Sequence, residues 1–269
     1  MANSFFMDQR IIITGASSGI GWELARQLAA QGAYLALAAR REKELREVAE
    51  ECREMGAQAI AVPTDVSEQE QCQKLIERTV EEWGGMDLLI NNAGASMHAR
   101  FDNITDLSVY ERLMRINYLG AVACTHYALP YLKTSRGKIV VISSLAGKTG
   151  VPTRTGYSAS KHALHGFFDA LRSELAGSGV TVTIVCPGYV ATGIRRYIIG
   201  DDGRPMDRSY TNEAKFMSAE TCAGIILKAA AKGKREVIMT LTGKVGQYIK
   251  PFFPGLIDRI ARKKVRLRR

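Results

Sequence analysis

"IIITGASSGIGWELA", residues Ile11–Ala25, reads as a strand, a glycine turn and the start of a helix. The run Ile11-Ile12-Ile13-Thr14 is β-branched throughout, which suits a short pleated element. Three glycines then punctuate the chain. Gly15 permits a tight turn off the strand, Gly19 lets backbone approach a pyrophosphate, and Gly21 lets the following helix pack close to a sheet. The helix start supplies free N–H groups and positive potential for phosphate. Ser17 and Ser18 add hydroxyl donors, and Ile20 lies within the same turn. The spacing is G-x-x-x-G-x-G and not the commoner G-x-G-x-x-G.

Beyond this stretch the same rhythm repeats. Short, almost continuously apolar runs fall at 10–14, 34–39, 58–62, 87–91, 138–143, 180–186 and 236–240. Runs without apolar–polar alternation are buried on both faces, as in parallel sheets. Helical patterns separate them at 22–31, 42–55, 68–83, 109–133, 156–176 and 219–232. Ser108-Val-Tyr-Glu111 predicts a capping box, Ser218 an N-cap, and Gly56 and Gly84 helix ends. The expectation is an α/β fold of one domain, a Rossmann-like doubly wound parallel sheet of about seven strands with helices on both faces. The catalytic domain would span 1–242, with an irregular segment at 190–217 and a C-terminal hydrophobic and basic extension at 243–269.

Composition agrees with a globular enzyme-sized chain. It has 269 residues, 46% hydrophobic and 24% charged, and no apolar run approaching 18 residues. Nothing at the start reads as a signal peptide, so a cytoplasmic protein is expected. Five dispersed cysteines read as free thiols in a reducing compartment. The four histidines form no ligand spacing with cysteine or paired carboxylates, so no metal is expected. Net charge is +10, of which +6 falls between Asp258 and Arg269.

The second strand bears on cofactor choice. NAD sites usually end it with an acid that binds the ribose 2′-hydroxyl; here it ends in Arg40-Arg41. Arginine pairs bidentately with a 2′-phosphate, whereas basic residues at a helix N-terminus otherwise oppose its dipole. NADP(H) is therefore expected, with Arg40 the first contact and Arg41 the second, and NAD(H) as the runner-up.

Further motifs follow in order: Asp65-Val66 after the third strand, "NNAG" at 91–94, Asn117, "ISS" at 142–144, "YSASK" at 157–161 and "PGYVAT" at 187–192. Tyr157 and Lys161 stand one helical turn apart, which alone happens by chance about as often as not. Taken together with the glycine turn, the series resembles the single-domain short-chain dehydrogenases/reductases over roughly residues 8–240. The narrower likeness is to NADP(H)-using carbonyl reductases around 11-beta-hydroxysteroid dehydrogenase.

The resemblance implies roles for individual residues. Tyr157 would be the general acid in carbonyl reduction, Lys161 its tuner and ribose ligand, Ser144 the substrate-oxygen donor, and Asn117 the holder of a relay water. Ser143 is the competing serine, and the 13-residue separation from Tyr157 favours Ser144. Cofactor contacts would come from Gly15, Ser17, Ser18, Gly19, Ile20, Gly21, Arg40, Arg41, Asp65, Val66, Asn92, Ala93, Gly94, Tyr157, Lys161, Pro187, Gly188, Val190 and Thr192. Substrate would meet Ser144, Leu145, Tyr157 and Tyr189, with Met97 nearby and residues 190–217 as the pocket lid. Ile194, Tyr197, Ile198 and Ile199 in that lid favour a hydrophobic carbonyl or alcohol. His162 and His165 are expected to be structural.

The resemblance also implies a homodimer or homotetramer through the helix carrying Phe167, Phe168 and Leu171 and the one before it. The extension has two readings: packing on the subunits, or peripheral contact of Phe252, Phe253, Leu256 and Ile257 with a lipid surface, its basic cluster on anionic headgroups. Nucleic acid is not expected, since no stacking aromatics interleave the basic run. An oxidoreductase is the main reading. A dinucleotide-binding regulator or scaffold without turnover is the alternative, and the intact Tyr157–Lys161 pair argues against it.

Overall fold

A computed structural model describes residues 5–192, 198–206 and 216–264. The chain runs β1 (Arg10–Thr14), α1 (Gly19–Ala29), β2 (Tyr34–Ala39), α2 (Glu42–Glu54), β3 (Gln58–Pro63), α3 (Gln69–Trp83) and β4 (Leu88–Asn91). It continues α4 (Ser108–Met114), a π turn (Arg115–Leu119), α5 (Gly120–Ser135), β5 (Lys138–Ile142), α6 (Thr155–Glu174), β6 (Thr181–Cys186) and β7 (Val190–Ala191). It ends with β8 (Met217–Ser218), α7 (Ala219–Ala231), β9 (Glu236–Ile238), α8 (Leu241–Ile249) and α9 (Pro254–Lys264).

Seven strands form one parallel sheet in the order β3-β2-β1-β4-β5-β6-β9. The order reverses between β1 and β4, which opens a crevice at the carboxyl ends of these strands. Each face of the sheet carries its own apolar layer. Ile11 and Ile13 of β1 point to one, with Leu24 and Leu28 of α1 and Ile226 of α7. Ile12 points to the other, with Leu75 of α3, Cys124 of α5 and Phe168 of α6. The strands are buried on both sides, which is why their sequences do not alternate. At the opposite end, Arg10 grips Asp87 in a two-pronged ion pair at 2.8 Å and ties the start of β1 to the chain entering β4.

Several boundaries differ from the sequence reading for identifiable reasons. The helical pattern at 109–133 is not one α-helix: the π turn divides it at Asn117. The capping box does not form. The Asp106 carboxylate takes the Ser108 N–H at 2.9 Å and its hydroxyl at 2.6 Å, while Glu111 pairs with Arg115. An acid two residues upstream thus takes the place of Glu111 as acceptor of the Ser108 N–H. Ser218 does cap α7, accepting from the Thr221 N–H at 3.1 Å. Gly56 and Gly84 take φ of +91° and +73° at the ends of α2 and α3.

The irregular 190–217 segment begins and ends in the short parallel pair β7–β8. Its Ile194, Arg195, Arg196 and Tyr197 lie outside the described residues. Phe168 and Leu171 are buried in the chain's own core, so of the three α6 residues expected to feed a subunit interface only Phe167 reaches partly toward solvent. The extension folds into α8 and α9, with α8 packed beside β9. Among the described residues, no helix is long and apolar enough to cross a membrane.

Candidate active site

A cavity of about 960 Å3 opens at the carboxyl ends of the strands. One end is built by the glycine turn. Gly15 has φ +68° and Gly19 +58°, a region that side chains with a Cβ avoid. A Cβ on Gly21 would lie 2.2 Å from the Gly15 carbonyl oxygen and 2.6 Å from the Asn92 amide nitrogen. Only hydrogen at that position lets α1 start so close to the sheet. Asn92 locks the turn by donating to the Thr14 and Gly15 carbonyls at 2.9 and 3.2 Å. The Thr14 hydroxyl accepts from the Asn92 and Ala93 N–H groups, both at 3.0 Å. Thus "NNAG" braces the glycine turn, and Gly94 lines the cavity beside it.

Arg40 and Arg41 stand at this end, with Asp65 and Val66 opposite. Arg40 is well exposed, 3.9 Å from the Asp65 carboxylate. Arg41 reaches back to the Ser17 hydroxyl at 3.1 Å and pairs with Glu44 at 3.2 Å. Both guanidinium groups therefore border the glycine turn. Asp65 is also held by its own loop, accepting from the Ser67 N–H and hydroxyl at 3.0 and 2.7 Å.

The other end gathers the chemistry-bearing residues. Tyr157 and Lys161 project from α6 into the cavity, and Ser144 lies at the carboxyl end of β5. Ser144 faces the cavity, its oxygen accepting from the Ala146 N–H at 3.1 Å. Its neighbour Ser143 is buried, bonded to His165 Nε2 at 3.0 Å. Both serines border the cavity, but the Ser143 side chain is tied up with His165. Pro187, Gly188, Tyr189, Val190 and Thr192 line the wall after β6, and Leu145 faces them. Thr192 lies across from Gly19, where an added Cβ would sit 3.0 Å from its own. Ile198 and Ile199 line the cavity. Met97 does not: it is fully buried in a cluster behind Tyr157 with Val109 and Leu113.

Asn117 is 1% exposed and lies behind the cavity wall. Its carbonyl oxygen accepts from the Ala95 N–H at 2.7 Å, and its amide donates to the Ala95 carbonyl and Ser160 hydroxyl, both at 2.9 Å. The side chain is thus fully used as a strut between the π turn, the "NNAG" loop and α6. A π turn breaks the regular ladder of backbone bonds, and such turns concentrate at functional sites.

Lys161 is 4% exposed, and its ammonium donates to the Ile142 carbonyl at 2.8 Å. Burial lowers its pKa to about 8, because the charged form has lost water. The same ammonium lies 5.9 Å from the Tyr157 ring centre. Burial pushes the Tyr157 phenol up, while the Ser144 hydroxyl and the Arg154 guanidinium pull it down. Arg154 itself stacks on Tyr189 at 5.4 Å. Lys161 is thus not the main influence on the phenol in this setting.

The cleft fits a nicotinamide dinucleotide. The glycine turn is a cradle that a single Cβ would fill, basic side chains stand at its far end, and a nearly naked ammonium waits at the other. The alternation of strands and helices foretold that architecture. A second cluster was not foreseen. His165, Cys186 and Glu236, far apart in sequence, bring their ligand atoms within 4.8 Å of one another. The sequence gave no sign of it because α6, β6 and β9 meet only in the fold. Burial lowers the His165 pKa to about 4, so the ring is neutral, and Lys148 pairs with Glu236 at 2.9 Å. The structural role expected of His165 matches this setting. All five cysteines are free and buried.

The Lys161 shift has a measurable consequence. An unfolded lysine keeps the ordinary value of 10.5, so between about pH 8 and 10.5 the unfolded chain binds more protons than the ligand-free fold. Ligand-free stability should therefore gain from Lys161 as pH rises across that window. The buried thiols, whose pKa values are raised, pull stability the other way in wild type and variant alike, so the readout is the difference: in thermal unfolding across the window, wild type should gain on Lys161→Met. Parallel pH profiles would contradict a desolvated ammonium.

Comparison with known proteins agrees with this geometry. The family model "short chain dehydrogenase" matches residues 9–202. The chain is 38% identical to a dehydrogenase/reductase SDR family protein 7-like of Dictyostelium discoideum, over 97% of this chain and 83% of that one. It is 38% identical to 11-beta-hydroxysteroid dehydrogenase 1A of Arabidopsis thaliana, covering 92% and 73% of the two chains. A solved short chain dehydrogenase/reductase from Burkholderia phymatum, in complex with NAD, superposes with a TM-score of 0.84 at 26% identity, covering 95% and 96%. The parallel sheet, the glycine cradle and these matches make the chain a member of the short chain dehydrogenase/reductase family of nicotinamide-dependent oxidoreductases.

Proposed function

We propose that the protein is an NADP(H)-dependent oxidoreductase that interconverts a ketone or aldehyde and an alcohol on a hydrophobic substrate. The observation that carries this reading is the convergence of Tyr157, Lys161 and Ser144 in one cavity whose other end holds the glycine turn and Arg40. The bound nicotinamide supplies or accepts the hydride. Everything else falls to side chains of this chain.

Tyr157 donates its phenolic proton to the substrate oxygen in reduction and takes it back in oxidation. An ordinary phenol titrates near pH 10, too high for exchange at neutral pH, and the burial in this cleft pushes it further up. The tuning must come from positive charge. An anionic ligand would offset the desolvation of Lys161 and secure its charge, and the charged ammonium favours the phenolate. Lys161 also holds the ribose hydroxyls. Ser144 donates to the substrate oxygen and stabilises charge that develops there. Asn117 acts through position: its strut fixes α6 beside the "NNAG" loop, and the π turn around it is where a relay water would bind.

At the cofactor end Gly15, Ser17, Ser18, Gly19, Ile20 and Gly21 wrap the pyrophosphate. Asp65, Val66, Asn92, Ala93 and Gly94 flank the adenosine, and Pro187, Gly188, Val190 and Thr192 border the nicotinamide. Arg40 and Arg41 select the 2′-phosphate, and the absence of an acid at the end of β2 supports NADP(H) over NAD(H). Substrate lies against Ser144, Leu145, Tyr157 and Tyr189, with Ile198 and Ile199 giving the wall its apolar character. The runner-up, a dinucleotide-binding regulator without turnover, is disfavoured by the completeness of this set.

NADPH oxidation against a panel of ketones and aldehydes tests the reading. Tyr157→Phe should lower turnover roughly 10²–10⁴-fold with NADPH binding retained. Arg40→Ala should weaken NADPH by about ten- to a hundredfold and leave NADH unchanged. Wild-type turnover that persists in Tyr157→Phe would overturn the assignment of the acid. Equal loss of both cofactors in Arg40→Ala would overturn the selector.

A homodimer or homotetramer in the cytoplasm completes the proposal. Family habit supports the first, and five reduced, buried thiols support the second. Light scattering reads the assembly, and a monomeric mass would contradict it.

A further inference from the structure

Among the described residues, α8, α9 and the link between them carry seven exposed large hydrophobic side chains. Tyr248, Phe252, Phe253 and Leu256 are 73%, 78%, 64% and 46% exposed, and none of them lines the cavity. They face outward. Leu241, Val245 and Ile260 are 76%, 49% and 44% exposed, and these do line the cavity. The same two helices thus present apolar side chains both at the cleft and away from it. Ile257 and Ala261 of α9, one turn apart, also line the cleft.

The extension that carries this surface is cationic in sequence. Residues 241–269 carry nine Lys and Arg and a single acid, Asp258, which makes +8 of the chain's net +10. On α9 the basic residues Arg259 and Lys263 follow Leu256 and Ile260 at a spacing of three, so they share the edge of the apolar face. Apolar side chains beside a cationic rim are what an interface between water and anionic lipid accepts. A second copy of the chain fits poorly, because a twofold interface would set one cationic helix pair against another.

We propose that α8 and α9 seat the protein on an anionic lipid bilayer, with Phe252, Phe253 and Leu256 entering the headgroup–acyl boundary. The cleft mouth then opens at the lipid surface, and an apolar ketone or alcohol passes from the bilayer into the cleft along Leu241, Val245 and Ile260. This second part rests on the carbonyl-oxidoreductase reading above. The first does not.

Sedimentation with vesicles tests it. The full chain should bind vesicles of phosphatidylcholine with phosphatidylserine at low salt, and lose at least tenfold in affinity with phosphatidylcholine alone or at high salt. Phe252→Ser/Phe253→Ser and, separately, Arg259→Gln/Arg262→Gln/Lys263→Gln should each lower binding at least tenfold. The two phenylalanines are so exposed that the fold does not need them, and circular dichroism checks this for both variants. With NADPH, the serine variant should turn over a short, water-soluble aldehyde at the wild-type rate. It should lose at least fivefold on a long-chain ketone dissolved in the vesicles.

No vesicle binding by wild type at low salt, or unchanged binding in both variants, would overturn the proposal. A wild-type dimer that becomes monomeric in the serine variant, without vesicle binding, would assign the surface to a second copy instead. Equal rates of wild type and variant on the dissolved ketone would overturn lipid-side entry alone. Vesicle binding without turnover of any carbonyl would sink the oxidoreductase reading and leave the docking surface standing.

Discussion

The whole site depends on how closely α1 approaches the sheet at the β1–β4 crevice. A methyl group at residue 21 would stand 2.2 Å from the Gly15 carbonyl oxygen, a separation that real atoms do not tolerate. Because Gly21 has no Cβ, α1 begins directly over the turn, and its free N–H groups face the cavity. Asn92 then stitches the turn to the end of β4, and the "NNAG" loop inherits its position from that stitch. Asn117 carries the constraint onward through Ala95 and Ser160 to α6. Tyr157 and Lys161 are thus placed by a chain of backbone and amide contacts that starts at a hydrogen atom.

Electrostatics gives the cleft its asymmetry. Lys161 is buried with one carbonyl for company, and its pKa falls to about 8. The phenol beside it is pushed up. Burial thus disfavours the charged form of both groups. An anionic dinucleotide in the cleft shifts Lys161 back toward its charged form and, through it, favours the phenolate. Coupling of this kind would hold the acid–base pair in reserve until the cofactor is in place.

Much of the fold and of the candidate site was legible in the sequence. Continuous apolar runs named every strand of the main sheet, because burial on both faces leaves no room for alternation. The glycines at 15, 19 and 21 named the phosphate cradle for steric reasons that act locally. What the sequence concealed was set by neighbours. The capping box failed because Asp106 stands closer to the same donors. Met97 looked like a pocket residue, yet it packs behind Tyr157. The His165–Cys186–Glu236 cluster joins three elements whose proximity no spacing announces. Neither reading of the extension, packing on the subunits or lipid contact, placed it at the cleft, whereas α8 and α9 form part of the cleft wall.

The central claim, that burial holds the Lys161 pKa down and that a bound dinucleotide would raise it, is open to direct measurement. Calorimetric titration of NADPH at pH 9, in two buffers of different ionisation enthalpy, counts protons taken up on binding. The account predicts uptake approaching one proton in the wild type and close to none in Lys161→Met. Binding without proton uptake in the wild type, or equal uptake in both proteins, would contradict it.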